Sequence, residues 1–215
     1  MALHYAIFPV TQFAQNCSLL WCDQSREAAL VDPGGEAQRL LDEVARRDLR
    51  LTQILLTHGH LDHVGATSAI AAQTGVSVIG PHQEDQFWLD RLPMQSQMFG
   101  FAPAQPFTPD RYLNDGDRVM VGQAELEVRF CPGHTPGHVV LYDAASGVVW
   151  VGDVLFAGSI GRTDFPRGDH ATLLASIRDR LWSLPDATVV VPGHGPNTTI
   201  GRERATNPFL RDDPY

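Results

Sequence analysis

The chain has 215 residues, 43% hydrophobic and 19% charged, enough for one well-filled globular domain over residues 1–215. Sixteen basic against 25 acidic residues give a formal charge of −9, and every basic residue is an arginine. No basic run marks a nucleic-acid footprint, and no window approaches the roughly 18 apolar residues of a membrane span.

The N-terminus, Met1 to Tyr5, lacks the basic and apolar stretches of a secretory signal. Three cysteines, Cys17, Cys22 and Cys131, make a poor disulfide framework and read as free thiols. The expectation is a soluble cytoplasmic protein, monomer or homo-oligomer, with a small-molecule substrate and no nucleic-acid or membrane partner.

In chain order, Leu3 to Phe8, Asn16 to Trp21 and Ala28 to Val31 read as short strands, the last stopped by Asp32-Pro33-Gly34-Gly35. Glu36 to Arg47 places Leu40, Leu41, Val44 and Ala45 at helical spacing. Gln53 to Leu56 reads as a buried strand. Val64 to Gln73 is expected as a helix ending near Gly75, and Val76 to Ile79 as a strand. Pro93 to Pro109 reads as an irregular surface loop of the lid or binding kind. Glu125 to Phe130, Val139 to Tyr142, Val148 to Val151 and Val189 to Val191 are strands, and Thr172 to Leu184 is an amphipathic helix. The class is α/β (α+β), with two sheets face to face and helices outside.

The histidines carry the chemistry. His58, His60 and His63 fall within six residues, with Asp62 among them. His134 and His138 lie in Pro132-Gly133-His134-Thr135-Pro136-Gly137-His138, Asp153 follows Val151-Gly152, and His194 lies in Pro192-Gly193-His194-Gly195. His58, His134, Asp153 and His194 each follow an apolar strand, and strand-end loops on a rigid sheet are where reactive groups are held. A His-x-His-x-Asp-His run arises by chance in roughly one chain in a thousand of this length.

Imidazole and carboxylate together suit zinc, iron or manganese. His58 and His60 can reach one metal, completed by His134. Asp62 and His63 can reach a second, completed by His194. Asp153 has two oxygens and can bridge both. Two metals about 3.5–4 Å apart bring a shared water toward neutral pKa and polarise a carbonyl, which makes Asp62 and Asp153 the catalytic carboxylates. His138 reads as a supporting or structural group behind the ligands. Asp32 reads equally as a turn residue and as an acceptor orienting a ligand imidazole. His4, His82 and His170 read as surface or packing residues.

His58-x-His60-x-Asp62-His63, then His134, Asp153 and His194 in order, resemble the complete metal signature of the metallo-β-lactamase superfamily. The resemblance spans nearly the whole chain. It implies a four-layer αββα sandwich in one domain, with a dinuclear site, most often zinc, at one edge between the sheets. The segment Asp153 to Pro166, with Gly161-Arg162-Thr163-Asp164-Phe165 inside it, is similar to the short hydroxyacylglutathione hydrolases of glyoxalase II type. By that likeness a metal-bridging hydroxide attacks the thioester of S-D-lactoylglutathione. Arg162 is the candidate for an anion contact or for holding its own loop. Only 21 residues follow His194 (215 − 194), so no C-terminal helical glutathione-binding domain is expected and its contacts do not carry over.

Other readings stand beside this one. Persulfide dioxygenases of the same superfamily hold one iron on residues that match His58, His134 and Asp153. A lactonase or nuclease would use the same generic centre, and a non-enzymatic binding protein could share the fold.

Overall fold

The computed structural model describes residues 2–210. The first half runs β1 (Leu3–Val10), β2 (Gln15–Cys22), β3 (Glu27–Val31), α1 (Ala37–Arg46), β4 (Arg50–Leu55), α2 (Leu61–Val64), α3 (Thr67–Thr74) and β5 (Ser77–Ile79). Two short helices follow, α4 (Gln86–Leu89) and α5 (Leu92–Phe99). The second half runs β6 (Arg118–Val121), β7 (Ala124–Phe130), β8 (Val139–Asp143), β9 (Val148–Gly152), the ribbon β10 (Leu155–Phe156) and β11 (Ser159–Ile160), α6 (His170–Ser176), β12 (Val189–Pro192), β13 (Thr198–Thr199) and α7 (Ile200–Thr206).

One sheet has the order β1-β2-β3-β4-β5 and the other β13-β12-β9-β8-β7-β6. Side chains alternate across each strand, which separates three apolar layers. Ala29, Val31 and Leu55 face Val128, Leu141 and Trp150 between the sheets. Their neighbours Leu30 and Ile54 turn to Leu40, Val44 and Ile70 on the helices of the first face. Val140, Val149 and Val190 meet Leu173, Ile177 and Leu181 on the other. The result is the αββα sandwich that the sequence implied. Each fully buried Leu or Ile contributes about 1.5–3 kcal/mol.

Sheet direction sets the site. β3, β4 and β5 are parallel, as are β9 and β12. β7 and β9 are each antiparallel to β8, so they also run the same way. The C-terminal ends of β3, β4, β7, β9 and β12 therefore deliver Asp32, His58, His134, Asp153 and His194 to one edge. Two main-chain bonds close that edge across the sheets, Val139 N to Thr57 O at 2.9 Å and Asn16 N to Gly193 O at 2.7 Å.

Three expectations are corrected. The helix placed at 64–73 is two helices, α2 and α3, because Ala66 N donates to Pro33 O at 2.9 Å instead of continuing the helical ladder. The segment 93–109 is not irregular throughout, since 92–99 is helical. Pro93 sits in the first helical turn, where a missing N–H costs little, and Gly100 closes the helix in the left-handed region. The helix expected over 172–184 begins at His170, capped by Asp169 accepting from Thr172 N, and widens into a π-turn over Ile177–Leu181.

Candidate metal centre

The strand-end loops bring all seven predicted ligands together. Their ring nitrogens fall into ordered roles. His134 Nδ1 donates to Arg162 O at 2.7 Å, and His194 Nδ1 donates to Phe13 O at 3.1 Å. His63 Nδ1 donates to Asp32 Oδ2 at 2.9 Å. Thr57 donates its hydroxyl to Asp32 Oδ2 at 2.6 Å, so its oxygen accepts from His58 Nδ1 at 3.0 Å. A donated Nδ1 proton leaves the lone pair on Nε2, so these four imidazoles turn Nε2 inward. His60 differs, with Nδ1 facing His134 Nε2 at 2.9 Å.

Several of the inward atoms have nothing to bond. His58 Nε2, His63 Nε2 and Asp153 Oδ1 are buried without a hydrogen-bond partner, a costly arrangement in a protein interior. The ligand atoms of His58, His60 and His134 lie within 4.8 Å of one another, as do those of Asp62, His63 and His194. Asp153 faces both groups. Its Oδ1 is 3.3 Å from His63 Nε2, and its Oδ2 is 3.6 Å from His134 Nε2 and 3.7 Å from His194 Nε2. Buried, unpaired nitrogens and oxygens in two converging sets fit divalent metal ions. A third convergence, Asp32 with His58 and His63, does not, because Thr57 N, Thr57 Oγ1 and His63 Nδ1 already occupy the Asp32 oxygens.

Charge follows the same division. Burial holds His58, His60 and His134 below the usual imidazole range, neutral as ligands must be. Burial also opposes charge on His63, but Asp153, Asp62 and the hydrogen bond to Asp32 outweigh it and push its pKa well up. Asp153 is the converse. Burial works against its carboxylate, yet His63, His134 and His194 hold it well below the usual range. The second cluster thus favours positive charge beside two carboxylates.

Asp32 emerges as the acceptor that orients His63 and, through Thr57, His58. It ends β3 in the left-handed region at φ 51, which a short polar side chain tolerates. His138 lies buried behind the ligands, stacked on His58 at 4.6 Å, and its Nε2 accepts from Asp153 N at 3.1 Å. Arg162 holds its own loop. Its carbonyl accepts from His134, and its guanidinium makes two 2.6 Å bonds to Asp164. His4 stacks on Trp21, and His82 packs on Phe130.

Asp85 was missed by sequence. It is wholly buried and accepts from Gly59 N and Thr135 Oγ1, both at 2.8 Å, and from Gly137 N at 2.5 Å. It therefore clasps the His58–His60 loop to the His134 loop. Gln83-Glu84-Asp85 reads as an ordinary acidic helix start, with no motif to single Asp85 out. Burial pushes its carboxyl up from 3.8 to about 7, against the three donors. Between those values the unfolded chain sheds this proton while the folded chain keeps it, so stability falls as pH rises. Asp85→Asn is expected to flatten that fall. Urea midpoints of metal-free wild type and variant at pH 4 to 7 give the comparison, and parallel curves would refute it.

A cavity of about 480 Å³ opens over the centre, with His60, Asp62, His134, Asp153 and His194 in its floor. A buried His/Asp cluster beneath a substrate-sized cavity, on the shared edge of an αββα sandwich, defines a metal-dependent hydrolase. The profile of the metallo-beta-lactamase superfamily matches residues 10–194, and the chain belongs to that superfamily.

Hydroxyacylglutathione hydrolase GloC of Haemophilus influenzae is 47% identical over 209 residues, covering 97% of this chain and 98% of its own. Among solved structures, the B3 metallo-beta-lactamase BLEG-1 superposes with a TM-score of 0.88 at 39% identity, covering 96% of this chain and 99% of that one. TTHA1623 in a di-iron-bound form superposes at 0.87 with 38% identity, covering 95% and 100%. Among the described residues no helix is long and apolar enough to cross a membrane.

Proposed function

We propose that this protein hydrolyses a thioester of the S-D-lactoylglutathione type at a two-metal centre within a single domain. His58, His60 and His134 would hold one divalent cation and Asp62, His63 and His194 the other, with Asp153 between them. Zinc is the first candidate, and the di-iron form of TTHA1623 keeps iron in view. The observation that carries the reading is the convergence of two sets of bare ligand atoms on one carboxylate, beneath an open cavity. The identity to a hydroxyacylglutathione hydrolase supports the substrate class. Three free, buried cysteines agree with a cytosolic setting.

When bound, the two cations would lower the pKa of a shared water and polarise the substrate carbonyl. The chain supplies the rest. Asp32, Thr57 and the Arg162 carbonyl fix the tautomers of His58, His63 and His134. Asp153 and Asp62 set the charge of the centre. Trp88 and Phe165 pack on His60, with ring centroids at 4.5 and 5.3 Å, and keep bulk water from that side. A thiolate leaves readily near neutral pH, so no strong general acid is needed.

Zinc-loaded protein should release thiol from S-D-lactoylglutathione. His134→Ala should lower kcat/KM by more than about a hundredfold, beyond the range for outer partners of a metal site. No release by the loaded wild type, with ready lactone hydrolysis, would end the thioester reading. One iron per chain with oxygen uptake on glutathione persulfide would replace it with the dioxygenase arrangement at His58, His134 and Asp153.

A further inference from the structure

The walls of the cavity contrast with its floor. Around the His/Asp cluster it is lined by Phe13, Met94, Met98, Phe99, Phe101 and Phe165. Phe13 packs edge-on to Phe99 at 5.9 Å and tilts onto Phe101 at 5.3 Å, and Phe99 meets Phe165 at 6.3 Å. Helix α5 carries Met94, Met98 and Phe99, and Gln12 Nε2 ties it to the β1–β2 turn through Phe99 O at 2.7 Å. These walls form one assembly drawn from three chain segments.

Polar partners are scarce there. Gln95 lines the cavity but its amide is already bonded to Leu61 N, Trp88 O and Gly59 O. Arg162 is the one arginine among the described lining residues. It is clasped by Asp164 and lies 4.1 Å over the Phe165 ring. A tripeptide thiol with two carboxylates and an ammonium finds one arginine on these walls, and that arginine is already paired with Asp164. Meanwhile Phe13, Met94 and Met98 stand 43%, 43% and 62% exposed at the rim. Large apolar side chains gathered at a cavity mouth mark a surface that a ligand covers, and methionine adapts to flexible apolar shapes.

We infer that the substrate bears an uncharged, apolar arm beside its thioester, and that Phe13, Met94, Met98, Phe99 and Phe165 select it. This rests on the thioester reading and narrows it, ranking thioesters with a neutral apolar arm above S-D-lactoylglutathione. The arm belongs either to the acyl group or to the thiol, and the same walls serve both.

The test uses two series of neutral thioesters on the metal-loaded full chain. In one, the acyl group of S-acyl-N-acetylcysteamine grows from acetyl to octanoyl. In the other, the thiol of an S-acetyl thioester grows from ethyl to octyl. One series should rise by about threefold in kcat/KM per added methylene until the cavity is filled, and its longer members should exceed S-D-lactoylglutathione. In Met98→Gln and Phe13→Ser the octyl-length to two-carbon ratio should drop at least tenfold. The ratio is internal to each variant, so partial misfolding does not mimic it. Flat profiles on both series, unchanged ratios in both variants, or S-D-lactoylglutathione outrunning every neutral thioester would overturn the inference and leave the hydrolase reading intact. No turnover of any thioester would overturn the thioester reading, and the inference with it.

Discussion

Asp153→Ala should reduce turnover by more than about a thousandfold and lower metal content below that of wild type, read as kcat/KM and as metal per chain by elemental analysis. The expectation follows from position. Asp153 places its oxygens near the inward nitrogens of both sets, 3.3 Å to His63 Nε2 and 3.6 Å to His134 Nε2. Its oxygens are also where the charge of His63 is balanced. Deleting them leaves a buried imidazole whose protonated form has lost the carboxylate that most favours it, and two clusters without a shared anion. Removing one partner of a buried ionic group costs more than its net contribution, because the other is stranded. Asp153→Asn is the informative companion. It preserves volume and one oxygen but removes the charge, so it should retain the fold and lose most of the metal. Metal content near wild type in both variants, with turnover within tenfold, would refute a bridging position.

The His/Asp cluster was legible because its signal is local and rare. The His58–His63 run needs no fold to be noticed, and the later ligands follow strands that alternate or run apolar. The sandwich was legible for the same reason, since period-two strands and the 36–47 helix advertise their buried faces. What escaped depends on distance in sequence. Asp85 acts on Gly59, Thr135 and Gly137, and nothing around residue 85 encodes those partners. Asp32 was visible but ambiguous, because a turn aspartate and an imidazole-orienting aspartate look alike until Thr57 and His63 are seen against it. The 93–109 segment misled through Pro93, a helix breaker inside a helix but a good fit in its first turn. Arg162 was noticed for its side chain, while the contact it makes to a cluster histidine is through its carbonyl, which any residue would supply.

Gly193→Ala should be the second large effect, a loss of about a hundredfold or more in kcat/KM with reduced metal content and little change in secondary structure. Gly193 has no left-handed backbone to relieve, so the argument is steric. A Cβ there would overlap Asp153 Oδ1 and lie 2.6 Å from His63 Cε1. The backbone cannot retreat cheaply. Asn16 N donates to Gly193 O at 2.7 Å, and Gly193 N donates to Gly152 O at 2.8 Å, so moving the loop sacrifices two buried bonds of about 1 kcal/mol each. The carboxylate is the softer element, and it is displaced from between the two ligand sets. Gly195→Ala separates this from a general loop defect. Gly195 has φ 76 and open space around its Cβ position, so alanine there strains the backbone by roughly 1 kcal/mol without touching Asp153. Its melting temperature should fall while its metal content holds. If Gly193→Ala keeps full metal and turnover, or if Gly195→Ala loses both equally, the crowding of Asp153 by residue 193 is not what keeps this position glycine.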